Sequence, residues 1–234
     1  HRWRRNRLAL VAADSPSPRR FQMSFDHLAP HYRWMERVLA GNLLHRVRTC
    51  WLGDIDAPKR VLFAGEGPGR MLEACVKTFS RCDFTVLDQS HAMLQQAQHR
   101  IQRHRETAHT FRFEQTDLRA PSPNMGPFDL IITNFVLDCF APDDLAKVIH
   151  HLAATGSPKA QWLLADFCVP SHGWQRMRAK LILWIAYRFF RCATNLPARA
   201  ITPPDNFLIA HGFQLKRRQH FSHGLLHADL WKRS

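Results

Sequence analysis

Gly65, Gly67 and Gly69 alternate with Glu66 and Pro68. They lie between a short apolar run, Val61-Leu62-Phe63-Ala64, and a helical pattern of Met71, Leu72, Cys75, Val76 and Phe79. That order reads as strand, tight turn, helix. Glycines at such a turn let the backbone take φ > 0 and let a ligand lie against it without meeting a Cβ. The helix start that follows offers unpaired N–H groups to negative or polar ligand atoms. A Gly-rich turn with no ligand has the same local signature, so the chemistry depends on what else the chain brings to it. Asp88 closes the next apolar stretch, about 20 residues past the glycines. That is the spacing at which an acid on a strand tip hydrogen-bonds both hydroxyls of a ribose. Asp117 follows the alternating stretch Phe111–Gln115, and Asn134 ends the strongly apolar stretch 128–133. Each has an ordinary alternative: Asp88 as a helix N-cap or solvated loop acid, Asp117 as a turn residue, Asn134 as a strand-end backbone partner.

Bringing these residues together takes a sheet whose strand ends share one edge. Residues 1–22 read as a poorly ordered or trimmed arm, basic from Arg2 to Arg7, briefly apolar from Leu8 to Ala13, then broken by Ser15-Pro16-Ser17-Pro18. A single domain is expected over 23–234, opening with a helical cap at 25–52. Strands are expected at 60–64, 84–88, 111–115, 128–134 and 161–167. One helix follows the glycine turn. Others run from 91 to 105 behind a Ser90 N-cap, from Pro142 to the break at Gly156-Ser157-Pro158, and from 174 to 192. Pro203-Pro204 starts a short helix through Ile209, and Gly212 ends it. Stretches 213–221 and 225–232 then read as a closing hairpin that adds an antiparallel edge. Five alternations of strand and helix predict an α/β fold with a parallel sheet covered on both faces.

With 234 residues, 45% hydrophobic and 22% charged, the chain can bury a sizeable core and is not a disordered polymer. Thirty-three Lys and Arg against 19 Asp and Glu give a net charge of +14. Such a balance attracts polyanions (nucleic acid, anionic lipid or an acidic partner) without choosing among them. Much of the excess is spread in ones and twos, as on an ordinary solvated surface. The six cysteines form no C-x-x-C pair and the histidines no H-E-x-x-H motif, so no metal is expected. Scattered thiols fit a reducing, cytoplasmic setting. No apolar run reaches the length of about 18 residues that a transmembrane helix needs.

Strand-GxGxG-helix, an acid on the second strand tip, an acid after the third strand and a polar residue ending the fourth together resemble the class I S-adenosylmethionine (SAM)-dependent methyltransferases. The resemblance covers roughly residues 25–234. The opening Phe25-Asp26-x-x-Ala29-x-x-Tyr32 is similar to the start of the ubiquinone/menaquinone-biosynthesis C-methyltransferases. Thr133–Phe140, Ala165-Asp166-Phe167 and Asp229-Leu230-Trp231 look like a bacterial subgroup of uncertain substrate. The resemblance implies a Rossmann-like, doubly wound, seven-stranded sheet in the order 3-2-1-4-5-7-6, strand 7 antiparallel, with helices on both faces. It also implies SAM as cofactor. Gly65, Gly67 and Gly69 would lie under its methionine part, Asp88 on the ribose hydroxyls, and Gln89 and Met93 beside the adenine. Asp117 would accept from the adenine amino group, with the Leu118 N–H near the ring. Asn134 would meet the methionine amino or carboxylate end, and Tyr32 would help close the pocket. Phe63 stands two positions before the first glycine, where many members carry an acid; Glu66 offers a carboxylate instead.

Methyl transfer displaces an already activated methyl from a sulfonium, so a protein mainly positions the acceptor and excludes water. A carbon or oxygen acceptor also loses a proton. Asp138, His31 and His172 are candidates to take it. Asp138 lies where substrate and cofactor would meet, and it is equally placed for a capping or structural role. The 174–192 helix is apolar nearly all round from Leu181 to Ile185, with cationic ends. It reads either as a core helix with snorkelling arginines or as a greasy substrate lid that touches an anionic membrane surface. The expectation is a small hydrophobic acceptor (lipid, quinone or polyketide-like) methylated in the cytoplasm or at the periphery of the inner membrane. Charge favours an RNA or DNA methyltransferase as the alternative. The Asn/Asp-Pro-Pro-aromatic tip that base-amino methylases use is absent, however. Phe63 favours a third reading, a non-catalytic binding scaffold.

Overall fold

The computed structural model describes residues 42–104, 108–120, 125–194 and 201–234, with the side chains of its longest helix described as far as Trp184. Seven strands form one sheet: β1 (Arg60–Ala64), β2 (Asp83–Asp88), β3 (Thr110–Gln115), β4 (Phe128–Asn134), β5 (Gly156–Phe167), β6 (Phe213–Phe221) and β7 (Leu226–Arg233). Their order is β3-β2-β1-β4-β5-β7-β6. β1 to β5 pair in parallel, and β7 is antiparallel to both of its neighbours, β5 and β6. The closing hairpin therefore does not simply extend the sheet. β7 inserts beside β5, and the edge strand β6 runs with the parallel set. Parallel pairing brings the C-terminal ends of β1, β2, β4 and β5 to one edge, where ligands bind in open α/β sheets.

The helices are α1 (Leu43–Thr49), α2 (Arg70–Thr78), α3 (His91–Ile101), α4 (Pro142–Ala154), α5 (Gly173–Thr194) and α6 (Asp205–Ala210). Each of α2, α3 and α4 buries a stripe at helical spacing: Met71, Leu72, Cys75 and Val76; Met93, Leu94, Ala97 and Ile101; Leu145, Val148, Ile149 and Leu152. Ser90 Oγ accepts the Met93 N–H and caps α3, and Pro142 occupies the first turn of α4 with Asp143 and Asp144 beside it. The α2 stripe and Leu94, Ala97 and Ile101 of α3 pack with Val61, Phe63, Phe84 and Val86 on one face of the sheet. The α4 stripe and Leu208 of α6 pack with Leu62, Ile131, Trp162 and Trp231 on the other. Phe63 is thus a core residue, fully buried and in ring contact with Phe84.

Two boundaries differ from expectation. β5 begins at Gly156, not 161, because Gly156 already pairs with Phe128; the register then slips, and Gln161 pairs with Leu130. The Gly-Ser-Pro stretch that ends α4 is therefore absorbed into an irregular strand start. α3 ends at Ile101 and continues as a single tight turn, Gln102–His104. Of the expected cap, α1 and the turn Leu52–Asp54 are described. The arm 1–22, His31 and Tyr32 lie outside the described residues. Among the described residues, no helix is long and apolar enough to cross a membrane.

Candidate active site

The glycine turn starts from the end of β1, and its N–H and C=O groups must find partners outside the sheet. Gly65, Gly67 and Gly69 have φ of 72°, 64° and 81°. Their reasons for being glycine differ. A Cβ on Gly65 would stand 2.5 Å from Val136 Cγ2, and one on Gly69 would stand 2.8 Å from Ala97 Cα. A Cβ on Gly67 would meet nothing within 4 Å among the described residues. Two glycines thus allow close packing inside the protein, while the third borders open space. The Gly65 N–H donates to the Leu87 carbonyl at 2.8 Å and holds the turn against β2.

Glu66 folds back over the start of α2. Its Oε1 accepts the N–H groups of Met71 (2.8 Å) and Leu72 (2.9 Å). Those two donors of the helix start are therefore taken by the chain's own carboxylate, which corrects the expectation that the helix start is open to a ligand. Burial pushes the Glu66 carboxyl up to about 7, against the pull of the two N–H groups and Arg48; Asp88 adds to the rise. Arg48 comes from α1, is itself buried, and lies over the Phe135 ring at 5.1 Å. No local signal in the sequence marks Arg48 as part of this site.

At the tip of β2, Asp88 Oδ2 accepts the Gly67 N–H and Oδ1 accepts the Ser90 N–H, both at 2.9 Å. Gln89 follows, its carbonyl bonded by Gln115 Nε2, and Met93 is buried one turn into α3. Leu118 is buried in the cluster that contains Ala64 and Leu87. Asp117 is clamped by Arg119. The guanidinium and backbone N–H of Arg119 both bond its carboxylate, and Arg119 also reaches Asp144 at 3.7 Å. Burial alone would raise the Asp117 carboxyl, but the Arg119 bonds outweigh it and hold it below its ordinary value.

The tip of β4 carries the least satisfied polar group of the site. Asn134 is 9% exposed, and neither its Oδ1 nor its Nδ2 has a partner among the described residues. A buried amide left so costs about 1–3 kcal/mol on mutational scales, so a fold keeps it for a reason. Phe135 follows with φ 57°, left-handed for a bulky residue. It is fixed there by its N–H bond to Ala165 (2.7 Å), by Arg48 over its ring and by Phe167 at 5.5 Å. Val136 packs on Gly65. A tight turn, Leu137–Cys139, then presents Asp138, whose N–H donates to Asp166 Oδ2 at 3.1 Å. Asp166, at the end of β5, is buried and also accepts the Phe167 N–H at 2.9 Å. Burial and the adjoining Asp138 carboxyl push Asp166 well above the ordinary carboxylate range. A neighbouring like charge favours the protonated form of a buried carboxyl.

Beyond Asp138 opens a cavity of about 680 Å³, walled among others by Asp138, Asp166, Cys168, Gln175, Arg218 and His227. Antiparallel pairing builds its floor: Asp166 stands opposite His227, and His227 opposite His220. His227 Nδ1 lies 3.0 Å from Asp229 Oδ1, off the line of a good N–H···O bond. Asp229 is completely buried and gripped by Arg218 through Nε to Oδ1 (2.8 Å) and Nη2 to Oδ2 (2.6 Å). Arg218 also bonds Asp205 at 2.8 Å. His172 does not line this cavity; it is exposed and paired with Ser171 Oγ at 2.8 Å. The sequence reading assigned no role to Asp166, His227, Asp229 or Arg218.

Residues 62–160 match the family model of a methyltransferase domain. Among solved structures, the fold is similar to magnesium protoporphyrin IX methyltransferase from Synechocystis PCC 6803 with bound SAH. The identity is 20%, the match covers 82% of this chain and 81% of that one, and the TM-score is 0.59. An O-methyltransferase family protein from Burkholderia thailandensis is 15% identical over 91% of this chain and 63% of that one, with a TM-score of 0.68. The N-methyltransferase NodS from Bradyrhizobium japonicum WM9, in complex with SAH, is 15% identical over 81% of this chain and 83% of that one, with a TM-score of 0.55. A search of curated proteins by sequence returned no match. Residues 62–160, less than half of the chain, thus match a methyltransferase domain, and the strand order β3-β2-β1-β4-β5-β7-β6, with β7 antiparallel, gives the chain the fold of these solved structures.

Proposed function

We propose that this chain methylates a small hydrophobic acceptor (a lipid, quinone or polyketide-like molecule) held in the cavity at the end of β5. The observation that carries the reading is the turn 134–138, which joins two half-sites. At its start Asn134 keeps a buried amide without a partner among the described residues; Val136 packs on Gly65; Asp138 lines the cavity. A cofactor seated on the glycine turn and an acceptor in the cavity would therefore meet across this turn. The similar structures include a magnesium protoporphyrin IX methyltransferase and a mitomycin 7-O-methyltransferase, which supports an acceptor of that size.

The residues present fit SAM. Gly67 borders open space among the described residues, Asn134 offers to the amino or carboxylate end of the methionine an amide with no partner among them, and Asp88 stands at the tip of β2 bonded to the Gly67 N–H, where ribose hydroxyls are assigned to it. Met93, Gln89 and Leu118 are assigned to the adenine, Asp117 to its amino group, and Tyr32 to closing the pocket. SAM supplies the activated methyl group. The chain's own residues bind, orient and exclude water. Asp138, at the cavity wall with Asp166 behind it, is assigned the acceptor's proton: a pair that retains one proton still presents one carboxylate.

Mass spectrometry of small molecules from cells with and without the gene tests this reading. A low-mass, apolar species that differs by one methyl group is the expected result. A methyl found only on RNA or DNA would replace the acceptor assignment. Absence of SAM binding by calorimetry would favour the scaffold.

A further inference from the structure

We propose that the outer face of α5 is a docking surface for an anionic lipid bilayer, and that the acceptor cavity opens beside it. Over the described side chains of α5, Gly173 to Trp184, the buried face is narrow. Ala179 and Leu183, one turn apart, pack with Val47 of α1 and with Ala165, Leu225, Leu226 and Ala228 of the sheet. Half a turn round, Trp174, Met177, Leu181 and Trp184 recur at helical spacing and are 60%, 76%, 59% and 61% exposed. Four large apolar side chains aligned on one helix face exceed what a soluble surface ordinarily shows.

The charge beside this stripe has one sign. From Asp166 to Asp205 the intervening chain contains six Lys or Arg and no Asp or Glu. On the helix, Lys180 flanks the stripe on one side and Arg178 on the other, and Arg176 lies nearby. Arg178 also bonds the β6–β7 turn through Ser222 (3.1 Å to its carbonyl), so the helix start is fastened to that turn. Trp174 lies 5.4 Å from His223 of the same turn. An apolar stripe between cations is the pattern of a helix that lies in a bilayer interface and meets anionic headgroups. A second copy of this chain would bring the same positive charge to the same face. A nucleic acid would use the cations but leave the stripe in water.

The position of the face gives it a use. Val169, Pro170 and Ser171, just before α5, and Gln175 in its first turn wall the 680 Å³ cavity, and Val169 is itself exposed. An apolar acceptor dissolved in the bilayer would then enter without crossing water. That last link rests on the proposed function; the membrane contact does not.

The test is co-sedimentation of the full chain with vesicles of phosphatidylcholine alone or containing phosphatidylglycerol. The phosphatidylglycerol vesicles should bind it, with salt weakening the binding without abolishing it. A Trp174→Ser, Met177→Ser, Leu181→Ser variant and an Arg176→Gln, Lys180→Gln variant should each partition about tenfold or more weakly. All five side chains are exposed, so thermal unfolding and SAM affinity by calorimetry should stay at wild-type values. Failure of SAM binding would strike the proposed function and leave this inference standing. Equal partition of the wild type and the apolar variant would overturn it. So would a concentration-dependent dimer that is lost in that variant, since a second copy would then cover the face. Slow peroxide oxidation of Met177 in the lipid-free monomer would also overturn it, since residues 1–41 would then be the cover.

Discussion

Asp88 Oδ2 accepts the Gly67 N–H at 2.9 Å, so the acid at the tip of β2 is tied directly to the one glycine of the turn that borders open space among the described residues. The carboxylate positions the turn, and the turn in turn fixes the carboxylate. The second Asp88 oxygen, on the Ser90 N–H, extends this connection to the start of α3. A group that binds on this turn and at Asp88 therefore meets one preorganised unit rather than two loops.

Asp88→Ala removes the acceptor of both N–H groups. A hydrogen bond to a charged group is worth about 1.5–3 kcal/mol, so SAM affinity should fall by about 10–100-fold in calorimetry. Adenosine should lose affinity alongside SAM if the carboxylate meets the ribose. Unchanged SAM affinity would sink the ribose assignment, and a loss confined to SAM would leave Asp88 acting only through the turn.

Glu66 gives a pH test. Its carboxyl rises from 4.5 to about 7 on folding, because burial outweighs its two N–H bonds. The native state then holds a proton that the unfolded chain releases. Its contribution is complete below about 4.5 and lost as pH rises through about 7. Glu66→Gln keeps an acceptor oxygen for Met71 and Leu72 and cannot ionise. Urea denaturation should show the variant gaining about 1–3 kcal/mol relative to wild type between pH 4.5 and 8, most of it by pH 7. Parallel pH profiles would refute the assignment.

The strands around this site are legible in sequence because each is an apolar run closed by a polar or Gly residue, and Asp88 and Asn134 are those closing residues. The floor of the cavity is not legible in that way. Asp166, His227 and His220 meet only because β7 returns antiparallel between β5 and β6. Glu66 shows a second limit: a carboxylate between glycines reads as a ligand group, yet it is spent capping α2. Asp117 shows a third, since Arg119, two residues on, takes the carboxylate by a contact that spacing alone does not imply. The start of β5 is hidden for the opposite reason, because Gly156-Ser157-Pro158 carries breaker chemistry while Gly156 sits in register with Phe128.

Gly65 and Gly67 separate packing from binding. Both have left-handed φ, so Ala at either costs about 1–2 kcal/mol of backbone strain. Gly65→Ala must also displace Val136, which adds about 1–3 kcal/mol of overpacking. Urea midpoints should therefore fall further for Gly65→Ala than for Gly67→Ala. SAM titrations at a temperature where both variants are folded should reverse the order, because the new methyl of Gly67→Ala enters the space where a ligand would lie. Wild-type SAM affinity in Gly67→Ala would show that nothing binds against that glycine.

Arg218 and Asp229 supply the largest expected loss of stability. Asp229 is fully buried; burial alone would raise its carboxyl, but Arg218 and His227 hold it below the ordinary value of 3.8. Its contribution is thus complete above about pH 3.8 and lost as pH falls through the lower native value. Arg218→Met leaves that carboxylate without its bidentate partner and Asp205 without an ion pair, and should destabilise the fold by about 3–5 kcal/mol in urea at neutral pH. Adding Asp229→Asn removes the stranded charge while keeping an acceptor near His227 and Trp231 Nε1. The double variant should then recover more than half of the loss, a non-additivity that independent sites do not give. A single Arg218→Met variant within about 1 kcal/mol of wild type would mean that water, not Arg218, solvates Asp229, and the cavity floor would lose the group that makes it rigid.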